Sequence, residues 1–410
     1  MPRHLPFRRR PPAEDPQTDR TPVPQDLKVM IVAAFVIAVG YGLVAPVLPQ
    51  FAASFGVGAA ASGAVISAFA LMRVAGAPAA GPLVTRLGER AVYLWGLGIV
   101  AGSSLATAFA PSYPLLLVLR GIGGVGSVMF TVSAMGLIAR LSPPDIRGRV
   151  SGYYATAFLT GNIMGPVIGA AAATLGLRAP FAIYAAALAM AIAVAAWKLR
   201  PTSPTTDTGS IPLPMRIREA WARPTYRALL VSSFANGWTN LGARVAIIPL
   251  LGAAVAGNYG ASVAGIALAV LAAGAAISQI FLAGTSDRIG RRPVMLTGLL
   301  AAAGLTALTG VVPGPWALWG VCLLTGICTG FYAPAQQAAL ADVVGTRRSG
   351  GAVMALFQAS SDVGQILAPV LLGAVVDAAG FGPAFLISAA LLLAALLAWL
   401  PRTAGPRARP

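Results

Sequence analysis

From residue 28 onward the chain alternates long apolar runs with short polar or charged breaks. Residues 29–49, 182–197 and 293–341 hold no charged side chain. About 20 apolar residues carry a helix across a ~30 Å hydrocarbon core, and turn signals and charge clusters divide the runs at that length. The pattern predicts twelve spans, at 28–50, 62–84, 91–111, 114–140, 149–174, 178–198, 226–251, 260–284, 293–312, 315–342, 351–375 and 380–400. The predicted fold class is all-α and integral to a membrane.

Charge placement supports this count. Only 10% of the 410 residues are charged and 57% are hydrophobic, against about 25% charged in a soluble domain. Basic residues crowd the cytoplasmic loops of membrane proteins. With a cytoplasmic N-terminus, the two tails and the alternate loops near 86, 145, 210, 290 and 347 hold 25 of the 29 Lys+Arg. The opposite loops hold one, Arg178, and Arg73, Arg120 and Arg244 fall inside spans. Both termini are therefore expected in the cytoplasm. The net charge of +17 reads as topology rather than as nucleic-acid binding. The Pro/Arg-rich start lacks the apolar core of a cleavable signal, so the first span is expected to serve as an uncleaved anchor in the plasma (inner) membrane.

Five regions follow: a disordered cytoplasmic tail (1–27), a six-helix bundle (28–198), a cytoplasmic linker (199–225), a second six-helix bundle (226–400) and a short tail (401–410). Within the linker, "MRIREAW" is a candidate interfacial helix. The bundles echo one another. "GPLVTRLGER" (81–90) returns 202 residues later as "AGTSDRIGRR" (283–292), with Thr85 against Asp287 and Gly88 against Gly290. "GNIMGPVIG" (161–169) returns as "GQILAPVLLG" (364–373), aligning Pro166 with Pro369. Two parallel halves are a plan for a secondary transporter with a site between them.

The same stretches resemble the major facilitator superfamily, and within it the twelve-helix drug:proton antiporter branch. The loop pattern after the second span is matched at Gly81, Leu83, Arg86, Gly88 and Arg90 but departs at Thr85 and Glu89. Its second copy is matched at Asp287, Arg288, Gly290, Arg291 and Arg292. "LLLVLRGIGGVG" matches the fourth-helix arginine motif with Arg120, Gly124 and Gly126. Gly161, Gly165, Pro166 and Gly169 match the fifth-helix antiporter motif, and "GYGLVAPVLPQF" resembles the first-helix proline motif with Pro46 and Pro49. The resemblance implies pseudo-symmetric bundles, alternating access, a cavity lined by helices 1, 4, 7 and 10, and loops that act in gating. It also implies that Asp287 meets the start of the fifth helix and the basic Arg147/Arg149, with no such charge at Thr85.

Polar residues within spans carry the candidate chemistry. Gly161, Gly165 and Gly169 share a face, which is either ordinary packing or a seam that slides during transport. Arg120, Ser127 and Thr131 fall on one stripe. Asn236, Asn240 and Arg244 form another, Thr325, Thr329, Tyr332 and Gln336 a third, and Gln358, Asp362 and Gln365 a fourth. Four polar stripes on apolar helices predict a shared wet cavity. Asp362 is the one acid deep in a span, and a charge there is costly. It is a candidate proton site, or else a static partner of Arg73. The surplus of buried arginine suits an anionic substrate, or the arginines bond only to carbonyls and polar side chains.

Enzymatic function is not expected, since no HExxH, nucleophile elbow or intramembrane histidine occurs. Lys28 and Lys198 are the only lysines and neither sits in a P-loop. Cys322 and Cys328 read as packing residues and His4 as inert, so no metal and no cofactor is predicted. Expected partners are membrane lipid, protons and a small-molecule substrate, with no nucleic acid, and a monomer suffices. The leading expectation is proton-coupled efflux of amphipathic small molecules; the alternative is proton-coupled uptake or exchange of a small organic anion.

Overall fold

The computed structural model describes residues 23–142, 147–199, 215–282, 285–344 and 351–400. Residues 1–22 and 401–410 of the expected tails, and 200–214 of the linker, lie outside them, while the last residues of the first expected tail, from Gln25, already belong to the first helix. Among the described residues, twelve helices are long and apolar enough to cross a membrane. We label them α1 (Gln25–Val44), α2 (Ala59–Leu87), α3 (Glu89–Ala108), α4 (Tyr113–Leu141), α5 (Arg147–Ala173) and α6 (Ala179–Lys198) in the first half. The second half holds α7 (Pro224–Ala256), α8 (Gly260–Leu282), α9 (Arg291–Thr309), α10 (Pro315–Val344), α11 (Gly351–Ala379) and α12 (Phe381–Trp399).

Local chemistry sets the helix ends. Proline occupies the first turn of α4, α6 and α7, where its missing N–H costs nothing. Gly88 and Gly290, matched across the repeat, adopt φ of +80° and +93°. That left-handed turn suits glycine; at Gly88 it lets α2 reverse directly into α3, and at Gly290 it joins a short helix, Thr285–Ile289, to α9. Within the linker, Ile217–Trp221 forms a short helix with Ala220 buried and Ile217 and Trp221 exposed, an amphipathic arrangement.

Two predicted spans differ in detail. The first ends as a helix at Val44 and resumes as a short helix, Leu48–Ala53, because Pro46 cannot continue the backbone ladder. The seventh contains a π-helical turn, Gly237–Ala243, a form found mostly at functional sites.

The halves are internally alike. In the first, α1 packs on α5 and α6, and α4 on α2 and α3. In the second, α8 and α9 pack on α10, and α12 on α9. Across the halves α2 meets α11 and α5 meets α8. One apolar core runs from Leu97, Phe181 and Leu188 into Ile247, Leu251 and Leu268 of the second half. Another, around Leu229, Met295, Leu299 and Trp399, belongs to the second half alone.

Candidate functional site: a cavity between two six-helix halves

The halves seal against each other at the end carrying residues 45–59 and 377–380. Gln50 donates from one amide to the carbonyls of Pro46 and Pro249, both at 3.1 Å. Ser67 donates to the Ile366 carbonyl at 2.6 Å. A Cβ on Gly63 would stand 2.2 Å from the Pro369 oxygen, and one on Gly373 would stand 2.5 Å from that of Ala59. These glycines let α2 and α11 touch backbone to backbone. Asp377 completes the seal by accepting the first amides of α2, Ala59 and Ala60. The sequence carries no signal for this contact, because the partners of Asp377 lie over 300 residues away.

Just inside the seal is a cavity lined by Tyr41, Phe69, Ser103 and Tyr184 of the first half and Val245 and Gln365 of the second. Arg120 projects into it. Its residue is 8% exposed, and its guanidinium carbon lies 4.6 Å from the centroid of the Phe69 ring, a cation–π distance. Its buried Nε has no hydrogen-bond partner among the described residues. The glycines beside it make this geometry possible. A Cβ on Gly124 would stand 2.3 Å from the Phe69 oxygen, so α4 and α2 approach closely enough to bring ring and guanidinium together. Gly126 plays the same part against Gly96 of α3.

Arg244 is also buried, at 4% exposure, but it is engaged. It donates to the hydroxyls of Thr329 at 3.4 Å and Thr306 at 3.3 Å. Asn240 donates to Asn236, and at 3.3 Å to the Tyr332 hydroxyl. Gln336 donates to Ser232 at 3.1 Å. The stripes predicted on α7 and α10 therefore meet, as a network inside the second half. Thr306 and Ser232 were not predicted, since a lone hydroxyl on an apolar helix carries no sequence signal. On α4, Thr131 bonds its own helix at the Ser127 carbonyl, 2.8 Å away. Ser127 itself is buried.

Asp362 stands mid-way along α11, half-buried, and accepts from Gln358 at 3.0 Å. No ion pair joins it to Arg73 among the described residues. Arg73 lies half-buried on α2, beyond the last cross-half hydrogen bond at Ser67.

The antiporter-motif face is resolved as packing. Cβ atoms on Gly161, Gly165 and Gly169 would stand 2.8, 2.5 and 2.2 Å from the carbonyls of Phe35, Val39 and Leu43. All three belong to α1, within the same half. The seam to the other half is made by the neighbouring positions, where Gly265 of α8 sits against the Pro166 carbonyl and Ala170.

The charged loops staple each half to itself. Arg90 donates to the Ala196 carbonyl at the end of α6, at 2.6 Å. Its counterpart Arg292 donates to Trp399 at 2.9 Å and also to Leu400, at the end of α12. Arg291 joins Ser286 at 2.8 Å, Asp287 and, at 3.3 Å, Asp342 of α10. The described partner of Asp287 is Arg291; the side chains of Arg147, Arg149 and Thr85, with which the expected contact at the start of α5 would be made, lie outside the described residues. Arg86, Arg288, Gly81 and Gly290 are exposed, while Gly88 is buried.

Comparison with known families matches residues 30–242 and again 233–410 to the Major Facilitator Superfamily. The chain belongs to that superfamily. It is a multi-pass plasma-membrane transporter rather than an enzyme, built as two superfamily repeats. Quinolone resistance protein NorA of Staphylococcus aureus (strain Mu50 / ATCC 700699) is 33% identical over 147 residues, which cover 36% of this chain and 38% of NorA. Multidrug resistance protein 2 of Bacillus subtilis (strain 168) is 30% identical over 166 residues, 40% of this chain and 41% of that protein. The matched stretches thus span well under half of either relative. Among solved superfamily structures, a bacterial homolog to the human lysosomal transporter Spinster, inward-facing and unoccupied, superposes with a TM-score of 0.78 at 17% identity. The superposition covers 91% of this chain and 95% of that one, a likeness of fold.

Proposed function

We propose that the protein is a proton-coupled exporter of amphipathic small molecules that works by alternating access. The two relatives are drug-resistance proteins by name, which supports efflux. Arginines 86, 90, 288, 291 and 292 cluster at one end of the bundle and Arg178 at the other. Under the positive-inside rule the sealed end is then external, both termini are cytoplasmic, and the cavity loads from the cytoplasm. The two bundles, residues 28–198 and 226–400, rock about the seam of α2 with α11 and α5 with α8. A monomer in membrane lipid is sufficient for this cycle.

The observation that carries proton coupling is Asp362. It is the one acid away from a helix end within the described spans, it faces Gln358 rather than an arginine, and it lies one helical turn from Gln365 of the cavity wall. A carboxyl group in that position can take a proton on one side and release it on the other. The test is transport in proteoliposomes under an imposed pH gradient with a panel of amphipathic compounds. Asp362→Asn should lose gradient-driven accumulation while retaining substrate exchange. Full pH-driven transport by that variant would remove Asp362 from the mechanism.

A second reading, proton-coupled uptake or exchange of a small organic anion, is favoured by the buried Nε of Arg120, which has no hydrogen-bond partner among the described residues. The direction of gradient-driven flux separates the two.

A further inference from the structure

The two intramembrane arginines of the cavity region differ in kind. Arg244 spends its donors on Thr306 and Thr329, and its surroundings complete it. Arg120 is as deeply buried, yet its described contact is an aromatic face, and its Nε has no acceptor among the described residues. A guanidinium in a membrane interior is costly without a partner, and a cation–π contact leaves the planar N–H fork unused. The described acids of the first half stand at the wrong end. Asp26 and Glu89 open α1 and α3 at the end opposite the seal, while Arg120 is in the second turn of α4 beside the seal. With helices of 20 residues, at about 1.5 Å per residue, most of a membrane thickness intervenes.

We infer that Arg120 is the anchor for an anionic group on the transported molecule, so that the preferred cargo is an amphipathic aromatic acid rather than a neutral or cationic amphiphile. The guanidinium fork suits a carboxylate bidentately. Around it, Tyr41, Phe69 and Tyr184 offer aromatic faces, Ser103 and Gln365 offer hydrogen bonds, and Val245 closes the side from the second half. The cavity takes residues from both halves and encloses about 30 Å³ in this structure, so cargo held at Arg120 touches both once the lining parts to admit it. The inference rests on the exporter reading but not on Asp362 being the proton carrier.

The experiment measures binding to the purified full chain in lipid nanodiscs. The probes are a panel of aromatic carboxylic acids, each paired with its primary amide and headed by dansylglycine and dansylglycinamide. The wild type should bind the acids at least tenfold tighter than the amides. Arg120→Gln should lose that preference, Arg120→Lys should retain part of it, and Arg244→Gln should leave it intact. A chloride titration identifies the other source of an anion: if millimolar chloride abolishes binding of the acids and leaves the amides bound, the site is a simple halide site and the inference falls. Equal binding of acids and amides by the wild type overturns the inference and leaves the exporter reading standing. Failure of the whole panel to bind, with the protein monodisperse and thermally stable, also overturns the inference, and the exporter reading is then decided by the proteoliposome assay.

Discussion

The carboxylate of Asp377 accepts the amide of Ala59 at 2.7 Å and that of Ala60 at 2.9 Å. The first amides of a helix have no partner of their own, and the helix dipole favours negative charge there. Asp377 therefore caps α2 from the other half of the molecule. Gly58 is the residue that admits it, since a Cβ there would stand 2.8 Å from the carboxylate.

Breaking this cap should loosen the seal. Asp377→Ala removes a charge-assisted contact at a helix end, a loss of about 1 kcal/mol, or roughly fivefold in the population open at that end. Spin labels at positions 54 and 259, on opposite halves, would report it as growth of a longer-distance component. Gly58→Ala should act in the same direction. An unchanged distance distribution in both variants would reduce the contact to an ornament of the surface.

The α1–α5 stripe should be intolerant of one added methyl group. Gly169→Ala places a Cβ against the Leu43 carbonyl and Gly165→Ala against that of Val39. Neither backbone can retreat, and overpacking costs about 1–3 kcal/mol. Gly102→Ala meets nothing within 4 Å and is the matched control. Thermal unfolding in detergent should separate the first pair from the third by several degrees.

Arg244 predicts a different pattern. Thr306→Val and Thr329→Val each strip one acceptor from a buried cation, at about 1–3 kcal/mol for a group left unsatisfied. The double variant should cost more than either single one, and Arg244→Met in that background should recover stability, since the need for acceptors goes with the charge. Unfolding midpoints of the four proteins test this directly.

The loop junction at Arg291 should respond to geometry more than to charge. Arg291 reaches Ser286, Asp287 and Asp342 together, which a lysine cannot copy. Arg291→Lys should therefore resemble Arg291→Gln in transport rate. Both aspartates are exposed, so each pair taken singly is worth under about 1 kcal/mol and should fade with salt. Asp287→Asn alone should then be mild, in contrast to a role in holding the halves together.

Much of the architecture was legible because membranes impose long apolar runs and loops collect arginine. The twelve spans and the repeat follow from that alone, to within a few residues at most boundaries. What sequence could not settle was which face meets which. Gly161, Gly165 and Gly169 announce a close approach, but any helix with room could answer it, and α1 does. Arg73 and Asp362 have opposite charge and sit on facing helices, yet side-chain reach decides pairing, and Gln358 takes the aspartate. The π turn of α7 also defeats a wheel drawn at four-residue spacing: Asn236 and Asn240 meet Tyr332, while Arg244 turns to Thr306 and Thr329.

Gln50 has a further consequence for how the doubled unit closes. Pro46 and Pro249 hold matching places in the two halves, and the single amide of Gln50 lies equidistant from their carbonyls. Counted from those prolines, the position answering to Gln50 is Ala253. A point midway between two matched carbonyls has room for one such side chain, so Gln50 on one side and Ala253 on the other make the closure unequal here. At this spot the two repeats meet through a single amide that serves both.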